Sequence, residues 1–371
     1  MSALLEVSPT LRLEDCRVGA FRIPTDRPES DGTFEWRDTT LVVVELTAGG
    51  ESGLGYTYGP AMLAALIREA CAAVMSHCDI CDIEANADAL FSHLRNSGRS
   101  GLSAMAVSAL DVAQWDLKAK LLRVPLLRLL GACREALPLY GSGGFTSYTD
   151  AELRRQFTDF AELGITRFKM KIGREPQLDP GRAAAARDCI GDRAELMIDA
   201  NNAFTRTQAR AVAERFVREF GVVWFEQPLP CEDLEGLKYL REHAPAGLEI
   251  ADGEYGYDLE YFRRAFAAQA IDVAMADATR CGGITGFLKI ATLCEAWKIP
   301  LSSHCAPALH LHVGCAARAL RHAEYFHDHA RIESMLFAGV PDVRGGMLRP
   351  DMSVPGHGLE FKWHDAERFA V

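Results

Sequence analysis

The chain has 371 residues, too many for one ordinary small core, so a large domain with a smaller companion is the natural organisation. Apolar content of 49% with 25% charged residues is that of a soluble globular protein, and a net charge of −11 argues against a nucleic-acid groove as the main function. No apolar run reaches membrane-spanning length, residues 1–10 show no secretory leader pattern, and eleven scattered cysteines suit reduced thiols in a cytoplasm better than a disulfide framework.

Residues 13–23 and 39–46 read as strands, the second being a run rich in β-branched side chains. The polar stretch 24–38 between them carries turn signals at Pro28 and Asp31-Gly32. A third strand is expected at 53–58, followed by helical periodicity at 60–76 and 103–122. Strands and then helices make a small α+β domain over residues 1–130. Cys78-Asp79-Ile80-Cys81, next to His77, has zinc or redox spacing but lacks a second pair, so ordinary thiols are expected there.

From residue 137 the pattern alternates. Strand-like runs recur at 138–142, 167–172, 195–200, 222–226, 248–251, 272–276, 299–303 and 323–327. Amphipathic stretches at 150–163, 206–220, 234–243 and 284–297 lie between them. Eight such units favour an α/β fold closed into a (β/α)8 barrel of TIM type over residues 131–340, with the first domain as an N-terminal α+β cap. Residues 341–371, with Pro341, Gly345-Gly346, Pro350 and Pro355, lose the period and are expected to run back over the cap.

Active sites of such barrels sit at the C-terminal ends of the strands. Lys169-Met170-Lys171 closes the second run, and Asp199, Glu226 and Glu254 follow at intervals of 226 − 199 = 27 and 254 − 226 = 28 residues. That interval is one strand, one helix and two loops, so the acids fall at equivalent ends of neighbouring strands. Asp199, Glu226 and Glu254 can each give one oxygen to a single Mg2+, with Asp252 competing for the third position. Three carboxylates and Mg2+ sum to −1, so an organic anion needs the two lysines as well. Their closeness to each other and to a metal is expected to lower their pKa values, as a lysine base requires. Asp277 and His304, at the ends of the sixth and seventh runs, fit as a second acid/base pair, and Glu324 on the eighth fits as a hydrogen-bond donor if protonated. Asn201 is placed to line the site. His310 and His312 form a possible zinc pair, with bonds to backbone the expected role, and Gly282-Gly283 without GxGxxG gives little support to nucleotide binding.

Together these segments resemble the enolase superfamily, specifically its mandelate racemase subgroup, over residues 13–365. The resemblance rests on Lys169-Met170-Lys171, Asp199-Ala200-Asn201, Glu226-Gln227-Pro228, Asp252-Gly253-Glu254, Asp277 with Cys281-Gly282-Gly283, Ser303-His304 and Ala323-Glu324-Tyr325. It implies Mg2+ on Asp199, Glu226 and Glu254, and Lys171 as one base with Lys169 on the substrate carboxylate. It further implies Asp277/His304 as the opposing acid/base and Glu324 as the electrophilic donor. A small-molecule carboxylate substrate, a homo-oligomer and a cap that closes over the substrate are implied too. Proton abstraction by a Lys or His base with Mg2+ stabilising the ene-diolate is the superfamily's known mechanism.

Members of the subgroup either reprotonate the intermediate, as racemases and epimerases, or expel a 3-hydroxyl to give a 2-keto-3-deoxy acid. The polar segment 25–36, ending at Trp36, suits a polyol better than an aryl group, so a sugar-acid dehydratase is expected, with Trp36 at the substrate. A non-catalytic barrel that keeps its metal for stability, and a zinc hydrolase using His310 and His312, are the readings from other classes.

Overall fold

The computed structural model describes residues 10–371; the leader-free reading of the first ten residues falls, Thr10 apart, outside them. An antiparallel sheet of order β1-β2-β3 opens the fold, with β1 at Asp15–Ser30, β2 at Glu35–Ala48 and β3 at Glu51–Tyr58. β1 runs through Pro24 and Pro28 into the stretch that carried turn signals, and the turn itself is confined to residues 31–34. Proline is tolerated because β1 is an edge strand. A register shift, with Pro24 opposite Asp38 but Glu29 opposite Trp36, absorbs the extra residues.

The β-branched run of β2 is buried on both faces. Leu41 and Val43 enter the core shared with the barrel, while Val42 and Val44 pack with the cap helices, as strand alternation requires. Those helices are α1 (Leu63–Val74), α2 (Ile83–His93) and α3 (Leu102–Leu121); α2 was not marked in the sequence. Gly53 and Gly55 let α3 lie directly on the sheet: a Cβ at either would stand 2.1 Å from a carbonyl oxygen, of Ala113 or Ala109. A short α4 (Leu126–Leu130) leads into the barrel.

Eight parallel strands follow: β4 (Leu137–Gly143), β5 (Arg167–Lys171), β6 (Glu195–Asp199), β7 (Val222–Glu226), β8 (Glu249–Asp252), β9 (Val273–Ala276), β10 (Leu301–Ser303) and β11 (Leu320–Phe326). Each pairs with the next, and β11 pairs with β4 to close the barrel. A helix follows each strand in turn: α5 (Asp150–Glu162), α6 (Asp179–Ile190), α7 (Arg206–Phe220), α8 (Leu234–His243), α9 (Leu259–Ala267), α10 (Gly283–Trp297), α11 (Pro307–Ala316) and α12 (His327–Leu336). Thr149 with Glu152 and Thr205 with Gln208 form capping boxes that start α5 and α7. α6 buries mostly alanine and α11 is buried nearly all round, so neither shows a clear apolar stripe.

The chain ends with β12 (Phe337–Ala338), β13 (Met347–Leu348) and β14 (Glu360–Phe361). β13 pairs with β4, β14 with β12, and Phe361 and Trp363 pack on Phe21 of β1 with ring centroids 5.1 and 5.9 Å away. One apolar cluster runs from Phe21 and Leu41 of the cap into the barrel, which fixes the cap over the barrel mouth. All eleven cysteines are free, those of the Cys78–Cys81 pair included. Among the described residues no helix is long and apolar enough to cross a membrane.

Candidate active site

Parallel register sets Lys171, Asp199, Glu226 and Ala251 side by side across β5 to β8. Alternation gives these residues one face, and puts Lys169, two positions earlier, on the same face one layer deeper beside Met197 and its neighbour Trp224. Asp252, one position beyond Ala251, takes the opposite face. Its Oδ1 accepts hydrogen bonds from the Gly253 amide at 2.6 Å and the Tyr261 hydroxyl of α9 at 3.3 Å. Gly253 then turns the chain at φ +137°, where a Cβ would lie 2.2 Å from the Met275 carbonyl oxygen. The turn brings Glu254 over the mouth, and carboxylate oxygens of Asp199, Glu226 and Glu254 come within 4.8 Å of one another, all buried. Strand alternation thus turns Asp252 away from the cluster, and the Gly253 turn, which breaks that alternation, brings Glu254 to it.

The lysines lock onto these acids. Lys169 Nζ stands 2.5 Å from Glu226 Oε1, 2.7 Å from Glu324 Oε1 and 3.6 Å from Asp199 Oδ2; Lys171 Nζ is 2.5 Å from Asp199 Oδ2. The expected depression of the lysine pKa values was tied to a bound metal; the protein's own groups act in the other direction. Burial pulls both down, but Glu226 and Glu324 carry Lys169 well above its usual range and Asp199 lifts Lys171. Glu324 also departs from the protonated donor expected of it. Burial opposes its ionisation, yet Lys169 and then His304 hold it well below the usual range, so it accepts from Lys169 and from the Cys305 amide at 2.7 Å. Glu226 goes the other way: burial and Asp199 push it well up against the pull of Lys169.

Across the mouth, three strands round from β5 by way of β4 and β11, stands His304. Its Nδ1 lies 2.8 Å from Asp277 Oδ2, and Asp277 Oδ1 accepts from the Thr279 amide at 2.7 Å. Against burial, Glu254 and Asp277 favour the charged ring. Its Nε2 faces Glu254 Oε2 at 3.2 Å and Cys305 Sγ at 3.3 Å. Burial pushes the Cys305 thiol up to about 12, so it stays neutral.

The donor set fits a hard divalent cation: three buried carboxylates, with Glu254 held down at about 2 despite burial, chiefly by His304. Left-handed backbone follows these groups at Asn201 (φ 43°), Gln227 (φ 41°), Cys305 (φ 51°) and Ala306 (φ 41°). Such strain gathers at functional loops. His310 and His312 do not form a metal pair. His310 Nε2 accepts from the Ala278 amide at 2.9 Å and His312 Nδ1 from the Leu127 amide at 3.1 Å.

These groups open into a cavity of about 260 Å3 between barrel and cap. Asn201 and Trp36 line it as expected, Trp36 with its Nε1 donating to Glu29 Oε2 at 2.9 Å. The cap wall is less polar than segment 25–36 suggested, because Phe34 and Trp36 both face the cavity. Asp31, Tyr255, Arg280, Cys305 and His329 line it too and were not picked out from the sequence. They sit on loops and on α12, where no period marks them. Arg182 was missed as well; buried on α6, it donates to the carbonyls of Gly144, Phe145 and Lys171 at 2.7 to 2.8 Å and clamps the ends of β4 and β5.

Two family models match the chain: the mandelate racemase/muconate lactonizing enzyme N-terminal domain over residues 24–131, and the enolase C-terminal domain-like model over residues 152–366. A 3,6-anhydro-alpha-L-galactonate cycloisomerase of Streptomyces coelicolor is 32% identical over 369 residues, which is 97% of this chain and 99% of that one. A crystal structure of a mandelate racemase/muconate lactonizing enzyme-like protein from Rubrobacter xylanophilus superposes with a TM-score of 0.95 at 48% identity, covering 97% and 100% of the two chains. L-talarate/galactarate dehydratase from Salmonella typhimurium, solved with Mg and L-lyxarohydroxamate, superposes with a TM-score of 0.89 at 26% identity, covering 100% and 96%.

Proposed function

The chain belongs to the mandelate racemase/muconate lactonizing enzyme group of the enolase superfamily, and on that premise we propose that it is a Mg2+-dependent acid-sugar dehydratase. It would remove the proton beside a carboxylate and expel the 3-hydroxyl to give a 2-keto-3-deoxy acid. The observation that carries this reading is the gathering at the barrel mouth of the three-carboxylate cluster, Lys171 and the Asp277–His304 pair, of which Lys171, Glu254 and His304 line one cavity. The related dehydratase of Salmonella typhimurium, solved with Mg, supports both the reaction class and the metal.

Asp199, Glu226 and Glu254 hold the ion. When bound, a divalent cation offsets the second negative charge that develops on the substrate carboxylate as its neighbouring proton leaves. Asp199 and Glu226, engaged as metal ligands, would hold the lysine ammonium groups less tightly, and Lys171 would then serve as the base. Lys169 stays charged and binds the substrate carboxylate beside Glu324. For Glu324 to donate, it must take up a proton as the anion displaces it from Lys169. His304, held as a cation by Asp277, gives its Nε2 proton to the departing 3-hydroxyl. Trp36 and Asn201 hold the rest of the sugar chain.

A panel of sugar acids incubated with Mg2+ and assayed for 2-keto acid tests the reading. Consumption of a 3-hydroxy acid without a 2-keto-3-deoxy product would overturn it. A cycloisomerase is the second reading, favoured by the near full-length match to the Streptomyces coelicolor enzyme. Its product would be an isomer of the substrate, whereas dehydration loses one water, and mass spectrometry separates the two.

A further inference from the structure

We propose that Asp26 and Glu29 of β1, with His327 at the start of α12, hold a divalent ion of the zinc class, separate from the Asp199 cluster, that ties the cap to the barrel.

A carboxylate oxygen from each acid and a ring nitrogen of His327 lie within 4.8 Å of one another. His327 Nε2 and Asp26 Oδ2 are 3.1 Å apart. Two ligands each about 2.1 Å from one zinc ion stand that far apart at an angle of roughly 95°. A side-chain shift of at most about 1.4 Å brings Glu29 into the same tetrahedral shell. An imidazole with two carboxylates suits zinc and its first-row neighbours, whereas Mg2+ favours all-oxygen sites such as the Asp199 cluster. Two carboxylates and a divalent ion sum to −2 + 2 = 0, so the seam carries no excess charge once the ion is bound.

Glu29 is the residue that calls for a cation. It is fully buried, and its Oε2 accepts from Trp36 Nε1 at 2.9 Å. Its Oε1 is buried as well and accepts no hydrogen bond from any described residue. Such an orphaned buried oxygen is costly. Burial and then Asp328 push the carboxyl up to about 9, and the Trp36 hydrogen bond and Arg331 do not offset them. Arg331 is already committed, with its Nη2 2.6 Å from Asp328 Oδ1. Asp328 is no rival ligand, because its Oδ2 accepts from the Thr39 hydroxyl.

The backbone holds this arrangement before any ion arrives. Pairing of β1 with β2 breaks after Pro24 and resumes with Glu29 opposite Trp36, which leaves Asp26 in the irregular stretch. That stretch is pinned to the barrel. Arg331 Nη2 donates to the Pro24 carbonyl at 2.7 Å, the Ser147 hydroxyl donates to the Pro28 carbonyl at 2.8 Å, and Arg27 pairs with Glu152. Asp26 is exposed and His327 half-buried, so an ion reaches Glu29 from the solvent side.

The test is calorimetric titration of Zn2+ into the full chain with Mg2+ in excess, on the parent and on two variants. Glu29→Gln keeps an acceptor for Trp36, and His327→Ala removes the nitrogen ligand. Each is expected to weaken one equivalent of Zn2+ by at least about tenfold, no less than the loss of an outer-shell partner costs. Free Zn2+ at a hundred times its Kd should raise the parent's melting temperature by about 5 °C, and each variant's by about half as much or less. Zn2+ bound with equal stoichiometry and affinity by the parent and both variants sits on the thiols or on the Asp199 cluster, and overturns the inference. So does a parent that binds none. Either result leaves the acid-sugar reading standing, because none of the three residues belongs to the Asp199 cluster.

Discussion

Replacing Lys169 with methionine should make the protein's stability depend on magnesium. The ammonium is fully buried and stands 2.5, 2.7 and 3.6 Å from Glu226, Glu324 and Asp199. Its removal leaves three buried acids facing one another. Breaking a buried ion pair from one side costs about 3–5 kcal/mol. At roughly 2 °C per kcal/mol for a large domain, the variant should melt about 6–10 °C below the parent in EDTA. The loss should grow with pH. Burial and Asp199 already push Glu226 up. Without Lys169 the folded protein would bind protons more tightly than the unfolded chain, so stability falls as pH rises. Saturating Mg2+ should restore most of the difference, because the ion supplies positive charge to Asp199, Glu226 and Glu254; a ligand at a hundred times its Kd adds about 2.7 kcal/mol. Differential scanning calorimetry at pH 6 and 8, with EDTA or Mg2+, reads all of this. If the variant melts within 2 °C of the parent in EDTA at pH 8, or if Mg2+ raises both by the same amount, the electrostatic account of the site is wrong.

Glu254→Gln should weaken Mg2+ binding at least about tenfold, while Asp252→Asn, on the other strand face, should change it less than about threefold; calorimetric titration of the ion distinguishes them. Lys171→Ala should lower kcat by about 10²–10⁴ and abolish exchange of the C2 hydrogen with deuterated solvent. His304→Asn should lose dehydration to a similar degree yet keep that exchange, followed by proton NMR. Gly32→Ala would place a Cβ 2.2 Å from the Ala200 carbonyl oxygen and 2.7 Å from that of Ile172, lifting the 31–34 turn off the barrel. KM should rise about tenfold with a smaller change in kcat, and a fall in kcat alone would contradict the placement of that turn at the substrate. Asp111, buried in α3 with its Oδ1 accepting from the Thr285 amide at 3.1 Å, is pushed up to about 7 by burial. Its folded pKa lies above its unfolded one, so its contribution favours folding at low pH and is lost as pH rises from about 4 to 7, at up to ~1.4 kcal/mol per unit. Asp111→Asn should flatten the fall in melting temperature over that range.

The positions of Lys169, Lys171, Asp199, Glu226, Asp277, His304 and Glu324 at strand ends were legible because one βα unit has a nearly constant length. Periodicity within a unit is local, so β7, α7 and α8 were delimited to the residue. Residues 24–30 misled for a related reason: prolines argue against a central strand, and nothing local says that β1 is an edge. Whether Asp252 or Glu254 turns inward depends on the left-handed Gly253 and on which face of β8 meets the interior, which barrel closure decides. Lys169 is kept protonated by Glu226 and by Glu324, the latter brought from β11 to 2.7 Å of it across 324 − 169 = 155 residues. Asp31 and His329 line one cavity only because cap and α12 meet over the mouth. Strand period, helix caps and repeat length are short-range properties, written in neighbouring residues. Electrostatic fields and cavity walls sum over everything within several ångströms, and only the closed barrel with its cap determines which residues those are.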